Sequence, residues 1–256
     1  VFASTKVAAI RGGQRNGDGS CQWPLNQWNS PISDRELLEA RSLVGTQNSE
    51  LITGAAFTDT AILSKGDISD YRILHFATHG LVTAPSPSCP AKPALVTSFG
   101  DDSSDGLLAF DEIFDLKLDA DIIILSACDT AGKASITATR AAGVSSGGGT
   151  ALDGLVRSFI GAGGRSVLAS HWPAPDEFRA TERLINGLFN DGRGQSIAEA
   201  LRQSQLDLMN DPVTSHPFYW AGFALIGDGS RTFLPSSTSL ATSDAPSARI
   251  TQPALK

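Results

Sequence analysis

A cysteine and two histidines stand directly after apolar stretches of the chain. Cys128 ends the run IIILSAC, His79 follows ILHFAT, and His171 follows SVLAS. A neighbouring imidazole favours the thiolate form of a cysteine, which is the form that attacks a carbonyl carbon. These residues indicate nucleophilic catalysis by Cys128 with a histidine base, and the spacing favours His79 over His171. The alternative is that Cys128 is a small buried apolar side chain, as many lone cysteines are.

The residues that follow the two histidines differ in character. Gly80 comes after His79, permits a close approach of the backbone, and has an N–H that can hold an oxyanion. Trp172 and a proline come after His171, and this pair indicates a packing role for that segment.

The other histidines do not indicate a metal site, and the glycines do not indicate a nucleotide site. His75 and His79 form an HxxxH pattern, but they lie in a segment predicted as a strand, and no third ligand is evident. We interpret His75 as a core histidine and His216, in SHPFYW, as a structural loop residue. Gly132 and Lys133 lack the upstream glycine of a phosphate-binding loop. We therefore expect no metal and no cofactor.

Strands that alternate with helices must position these side chains. The strands are expected at 51–52, 71–78, 120–127, 166–170 and 220–226. The helices are expected at 33–44, 58–63, 110–115, 150–161, 175–188 and 197–209, with long loops at 81–106 and 132–149. Ser33 and Glu36 have the spacing of a capping box at the start of the first helix. The order predicts an α/β fold with a mainly parallel sheet flanked by helices, in which ligand sites lie at the carboxyl ends of the strands.

The composition excludes several classes of protein. The 256 residues are 41% hydrophobic and 18% charged, a mixture that can bury a full core. The net charge of −7 argues against a nucleic-acid partner or an anionic membrane surface. No apolar run reaches the roughly 18 residues that a membrane-spanning helix needs. The first residue is Val1, which indicates a mature form or an excised part of a longer protein.

The two ends of the chain lack the regular pattern of the middle. We expect residues 1–32 to form an amino-terminal strand and a flexible loop at the edge of the domain. Residues 235–256 are rich in Ser, Thr, Ala and Pro and are predicted to be a disordered tail.

The three cysteines allow two interpretations. Cys21 and Cys89 lie in segments with the composition of loops, whereas Cys128 follows a strand. Either all three are free thiols, or Cys21 and Cys89 are bridged and Cys128 stays free. A bridge would place the protein in the periplasm or outside the cell; without a bridge the sequence gives no location, and the cytoplasm is the default expectation.

Six segments, taken in order, resemble those of the CHAT domain family, a caspase-like group of cysteine peptidases related to separases. They are RILHFATHG, DGLLAFDEI, IIILSACDTAG, GLVRSFIGAGGRSVLASHWP, EALRQSQLDLM and HPFYWAGFALIGD. The resemblance runs from about Ser33 to Asp228 and implies a caspase–haemoglobinase fold for a peptidase domain over residues 33–234. Because these domains often follow tetratricopeptide repeats, it also implies an upstream repeat or regulatory domain. A protein or peptide substrate and a bacterial source are further expectations.

The family histidine of ATHG and the family cysteine of LSAC correspond to His79 and Cys128. The resemblance implies that His79 assists proton transfer while Cys128 attacks the scissile carbonyl, and that backbone N–H groups of Gly80 and Cys128 hold the oxyanion. The chain departs from the common SLWP pattern, because His171 stands in SHWP. Arg140 lies in the long segment after the cysteine, where related enzymes can be cut on activation.

In related separases, an acidic residue lines the pocket for the residue before the cut. The residue carried over is Asp176 in SHWPAPDEF, with Trp172 as an apolar wall and Asp129 or Glu177 as other sources of charge. A carboxylate in a partly dry pocket attracts a cationic side chain, so cleavage after Arg or Lys is expected. The alternative is that Asp176 caps the helix predicted from Pro175.

The favoured function is that of a cysteine endopeptidase acting on a protein partner. One alternative is a catalytically silent interaction or regulatory module that has kept the fold and the dyad. Another is a cysteine hydrolase of small substrates, which the long loops disfavour.

Overall fold

Nine strands and six helices are found in the computed structural model, which describes residues 2–4, 28, 31–81, 88–89, 93–100, 104–126, 150–172, 174–175 and 177–236. The strands are β1 (Phe2–Ser4), β2 (Leu51–Thr53), β3 (Ile73–Ala77), β4 (Gly80–Leu81), β5 (Ala94–Val96), β6 (Leu107–Ala109), β7 (Ile122–Leu125), β8 (Ser166–Ser170) and β9 (Phe223–Gly227). The helices are α1 (Arg35–Val44), α2 (Asp59–Leu63), α3 (Phe110–Asp115), α4 (Thr150–Gly161), α5 (Ala180–Asp191) and α6 (Ile197–Asn210). Short 3₁₀ turns lie at Thr46–Asn48, Gly54–Ala56, Ile68–Asp70, Glu177–Arg179 and Pro217–Tyr219.

Six of these strands form the central sheet, in the order β2-β1-β3-β7-β8-β9. Neighbouring strands pair in parallel from β2 to β8, and β9 pairs antiparallel with β8. Parallel neighbours need long crossover connections, which the helices supply. The predicted α/β fold with a mainly parallel sheet flanked by helices is confirmed.

Two apolar layers cover the two faces of the sheet, and β7 contributes to both. Ile123 and Leu125 pack into the layer that contains buried residues of α2, α3 and α4. Ile122 and Ile124 pack into the layer formed with α1, α5 and α6. Successive side chains of a strand point to opposite faces, so a strand covered on both sides must be apolar throughout. This requirement explains the continuous run of isoleucines that precedes Cys128.

A second, three-stranded antiparallel sheet, β4-β5-β6, has its middle strand β5 inside the segment 81–106 that was predicted to be a long loop, and β4 and β6 lie at the two ends of that segment. That prediction is wrong in part, because strands of two or three residues are too short to show a periodic pattern. Trp28 is fully buried against this sheet, and its indole Nε1 donates hydrogen bonds to the carbonyl oxygens of Thr97 at 2.9 Å and Gly106 at 3.2 Å. These contacts attach Trp28 to the small sheet.

The predicted bounds of α3, α4 and β8 agree with the structure, but those of α1 and α5 do not. Helix α1 begins at Arg35 with Asp34 at its N-cap; the Asp34 side chain makes no capping hydrogen bond, and the hydroxyl of Ser33 accepts one from the N–H of Arg35 at 3.3 Å. The predicted capping box is therefore wrong, and Glu36 is instead buried, with its carboxylate against His75. Helix α5 begins at Ala180, later than the predicted position 175, with Arg179 at its N-cap.

The amino-terminal strand β1 lies inside the sheet, between β2 and β3. Its Phe2 is in register with Leu51 of β2 on one side and with His75 of β3 on the other. Most of residues 5–30, the loop predicted at 132–149 and residues 237–256 of the predicted tail lie outside the described residues.

Substitution of Gly163 by alanine should destabilise the fold, because this glycine forms the turn between α4 and β8. Its φ angle is +110°, and a Cβ atom there would lie 2.1 Å from the carbonyl oxygen of Leu118. The combined clash and backbone strain should cost about 2 kcal/mol or more in the free energy of unfolding, measured by urea denaturation. Gly66→Ala is the matched control, since no atom lies within 4 Å of its added Cβ, and it should change stability by less than about 0.5 kcal/mol. Equal effects of the two substitutions would contradict the prediction.

Candidate active site

The chain segments that carry the two predicted catalytic residues leave the sheet side by side. Strands β3 and β7 pair in parallel, with Phe76 of β3 in register with Leu125 of β7. His79 follows β3 by two residues, and Ser126 is the first residue after β7. Cys128 lies two positions beyond Ser126 and outside the described residues, so its approach to His79 stays a prediction.

His79 is half-buried, and the small sheet holds the backbone around it. The N–H of Val96 donates to the carbonyl oxygen of His79 at 2.8 Å, and the hydroxyl of Thr78 donates to the carbonyl oxygen of Val96 at 2.5 Å. Gly80 then pairs with Leu95 across β4 and β5. These bonds on both sides of His79 fix its backbone while leaving its side chain partly accessible.

Gly80 is the residue predicted to supply one N–H of the oxyanion site. A Cβ atom added there would meet Cδ1 of Leu155 at 3.7 Å, which is an ordinary van der Waals distance. Packing within the described residues therefore does not by itself require a glycine at this position. The role of the Gly80 N–H in holding an oxyanion stays a prediction.

The core histidine predicted at position 75 is confirmed, and it has two polar neighbours. Its Nε2 atom lies 2.5 Å from Oε1 of Glu36 on α1 and 3.2 Å from Oγ of Ser126. All three side chains are buried, and the imidazole is completely so. Because Nε2 is engaged by a carboxylate and a hydroxyl, His75 is placed as a structural histidine rather than as part of an HxxxH metal site.

The two remaining histidines are exposed. His171 follows β8, and its backbone N–H donates to the carbonyl oxygen of Gly222 at 2.8 Å. The Nδ1 atom of His216 accepts a hydrogen bond from the N–H of Phe218 at 3.2 Å and caps a 3₁₀ turn, so its predicted role as a structural loop residue is confirmed.

Trp172, the predicted wall of the substrate pocket, lies at the same carboxyl edge of the sheet. Its Nε1 donates to the carbonyl oxygen of Phe218 at 3.1 Å, and its indole covers Gly222, where a Cβ atom would approach Nε1 to 2.9 Å. The rings of Phe178 and Phe218 are both exposed and both contact Tyr219 edge-on. Sequence patterns missed this aromatic group, because Phe178 and Phe218 lie in 3₁₀ turns without periodicity.

Asp176 and Asp129, the predicted sources of pocket charge, both lie outside the described residues. Glu177 is exposed in the 3₁₀ turn that precedes α5. Helix α5 starts five residues after the position predicted from Pro175, with Arg179 at its N-cap. The assignment of Asp176 to the pocket stays a prediction.

A strained corner follows this segment and is attached to two helices. Phe178 and Arg179 have φ angles of +56° and +55°, in the left-handed region that side chains other than glycine seldom adopt. The guanidinium of Arg179 donates to Glu182 on α5 and to Glu39 on α1. These hydrogen bonds lower the pKa of Glu182, whereas burial and the proximity of Glu182 raise the pKa of Glu39. The ion pairs thus hold the corner next to the predicted pocket.

The part of the chain that matches a known protein family includes nearly the whole central sheet. The model of the CHAT domain family matches residues 3–228, from β1 to beyond β9. The chain belongs to the CHAT domain family.

Two curated relatives of this CHAT domain are both named Tetratricopeptide repeat protein 28, one from Homo sapiens and one from Mus musculus. The human protein is 27% identical over 270 residues, and the mouse protein is 25% identical over 273 residues. Each alignment covers 92% of the chain but 10% of the relative, so the chain spans about a tenth of the length of these curated relatives.

Family membership supports some of the expectations drawn from the sequence. CHAT domains are caspase-like, and the relatives are repeat proteins, which is consistent with fusion of such domains to tetratricopeptide repeats. The expected bacterial source stays a prediction. Within the described residues, no helix has the length and apolar character needed to cross a membrane.

The structure places Cys89 in a disulfide bond, and its side chain is buried. The other two cysteines lie outside the described residues, so the pairing of Cys21 with Cys89 stays a prediction. Mass spectrometry of unreduced proteolytic peptides should identify a Cys21–Cys89 linkage and a free thiol at Cys128. A Cys89–Cys128 linkage would contradict the prediction and would also block the predicted nucleophile.

Proposed function

We propose that this CHAT domain is a cysteine endopeptidase that cleaves a protein partner after a basic residue. The observation that carries the proposal is the parallel pairing of β3 with β7, because His79 follows β3 by two residues and Cys128 comes three positions after the end of β7 in the sequence. The bonds that fix the backbone of His79 and leave its imidazole half-buried support the same role.

In the proposed reaction, the imidazole of His79 accepts the proton of the Cys128 thiol as the sulfur attacks the carbonyl carbon of the scissile bond. Backbone N–H groups of Gly80 and Cys128 stabilise the negative oxygen of the tetrahedral intermediate. The intermediate collapses to a thioester, and His79 returns the proton to the departing amine. Water then hydrolyses the thioester and restores the free thiol.

The partner is proposed to be a protein delivered by an adjoining repeat region. The relatives named for tetratricopeptide repeats are about ten times as long as the aligned part, so a CHAT domain there is a small part of a much longer chain. We expect the same arrangement for this domain, with the repeats binding the substrate or controlling access to the dyad.

Replacing either member of the dyad should abolish proteolysis without unfolding the domain. Cys128→Ala removes the nucleophile, and His79→Ala should lower the rate by at least about 100-fold through loss of the base. Cleavage of a peptide library, followed by mass spectrometry of the products, gives the rates. Circular dichroism of each variant tests that the fold is intact.

The matched control for this experiment is His171→Ala, which removes an exposed imidazole at the same edge of the sheet. It should retain far more activity than His79→Ala, and the reverse order would assign the base to His171. Near-normal cleavage by Cys128→Ala would overturn the mechanism. A wild-type protein that neither cleaves peptides nor reacts with a thiol-reactive peptide inhibitor would instead be a silent interaction module.

We propose the preference for a basic residue because a carboxylate, Asp176, and an apolar side chain, Trp172, lie close together in the sequence. Asp176 lies four positions after Trp172, in the segment that joins β8 to α5. Trp172 presents a half-buried indole on which the aliphatic part of an Arg or Lys side chain can pack. A carboxylate at position 176 would then pair with the cationic end of that side chain.

Asp176→Asn should lower the kcat/KM for cleavage after Arg or Lys by at least about tenfold, since one desolvated charge pair is lost. The rate for substrates with an uncharged residue at that position should change little. Glu177→Gln is the matched control, because it removes a neighbouring exposed carboxylate and should leave the profile unchanged. A wild-type profile that shows no preference for basic residues would refute the pocket assignment.

A further inference from the structure

A buried polar group connects the two strands that lead to the predicted dyad. It consists of Glu36 on α1, His75 on β3 and Ser126 directly after β7. Their relative exposures are 8%, 0% and 2%, so the substrate has no access to them. The Nε2 atom of His75 contacts both of the others, at 2.5 Å from Oε1 of Glu36 and 3.2 Å from Oγ of Ser126.

The surroundings of this polar group are apolar. The imidazole stacks on Phe189 of α5 with a centroid distance of 6.2 Å, and the same face of the sheet carries Ala77, Ile124 and Leu168. A charged side chain in such a layer loses its hydration, and well-packed apolar residues are often at least as stabilising as a buried ion pair. Stability alone therefore does not account for a carboxylate and an imidazole at this place.

Unlike an apolar contact, this polar group restrains the orientation of its side chains, because hydrogen bonds are directional. At 2.5 Å, the hydrogen bond between Nε2 and the carboxylate of Glu36 restrains the orientation of the imidazole. The same nitrogen faces the hydroxyl of Ser126, whose backbone N–H also donates to the carbonyl oxygen of Phe76 at 3.2 Å. Both the side chain and the backbone of Ser126 are thus attached to β3. The chain leaves β7 in a direction that β3 determines.

We propose that Glu36 and His75 are positioning residues that act through Ser126 on the catalytic cysteine. Ser126 precedes Cys128 by two positions, and His75 precedes His79 by four. The buried group therefore fixes where the thiol-bearing segment departs relative to the strand that leads to the imidazole. This inference rests on the proposed dyad, and none of the three buried residues touches the substrate.

The decisive variants remove single contacts of the group. Ser126→Ala deletes the hydroxyl, and Glu36→Gln keeps the size of the side chain while removing its charge. Each should lower kcat by tenfold or more while KM changes by less than twofold. The alkylation of Cys128 by iodoacetamide, followed by mass spectrometry of its peptide, should slow by a similar factor. Ser126→Thr keeps the hydroxyl and should stay within threefold of the wild type in both measurements.

Ser166→Ala is the matched control, because this serine is also fully buried and lies at the opposite, amino-terminal edge of the sheet. Its Oγ donates to the carbonyl oxygen of Asp121 at 2.7 Å. A loss of general stability should appear as a lower melting temperature in Ser166→Ala as well as in Ser126→Ala. Only the variants of the positioning group should change kcat and the alkylation rate of the folded protein.

The outcomes separate this inference from the proposed function. His79→Ala should slow the alkylation of Cys128 if the dyad exists. If His79→Ala slows alkylation but Ser126→Ala and Glu36→Gln do not, the dyad stands and the positioning role is overturned. If His79→Ala alkylates as fast as the wild type, the dyad is overturned, and the positioning role falls with it. The alkylation measurement needs no substrate, so it also tests the dyad and the positioning role in a protein that cleaves no peptide.

Discussion

The pairing of β3 with β7 is the contact on which the rest of the described structure depends. Side chains of both strands enter the apolar layers on the two faces, so their backbone N–H and C=O groups have only neighbouring strands as partners. Hydrogen bonding therefore has to run from strand to strand, and helices have to cover both faces. Polar side chains appear where this pairing ends, at Thr78, His79 and Ser126. Any chemistry of the proposed site would therefore take place at this edge of the sheet.

Two kinds of polar contact serve different purposes around this edge. Arg179 pairs with Glu182 and Glu39 at the surface, where water screens the charges and the gain in stability is small. Glu36 and His75 are hydrogen-bonded inside an apolar layer, where a hydrogen bond is stronger than in water and an unsatisfied polar group is costly. The first holds a strained corner in place, and the second links a helix to the sheet at a defined orientation.

The sequence predicted the elements whose pattern is local and long enough to be regular. Strand β8 and helices α3 and α4 were found with their bounds, because apolar periodicity and chain breaks coincide there. Strands β4, β5 and β6 were not predicted, and an amino-terminal strand was expected without the bounds of β1, since two or three residues carry no period. Glu36 shows the same limit for the site, because its spacing from Ser33 suits a capping box while its real partner, His75, is 39 positions away. A charged residue in an otherwise apolar stripe of α1 was the one available signal.

The position of β1 has a mechanical consequence. This strand lies between β2 and β3, in register with both, and Ala3 and Ser4 are opposite Phe76 and Ala77 near the carboxyl end of β3. A pull on the chain ahead of β1 acts along the strand axis and loads its hydrogen bonds in shear, all at once rather than one after another. Tension from an upstream segment would therefore reach β3 within a few residues of His79, without passing through any helix.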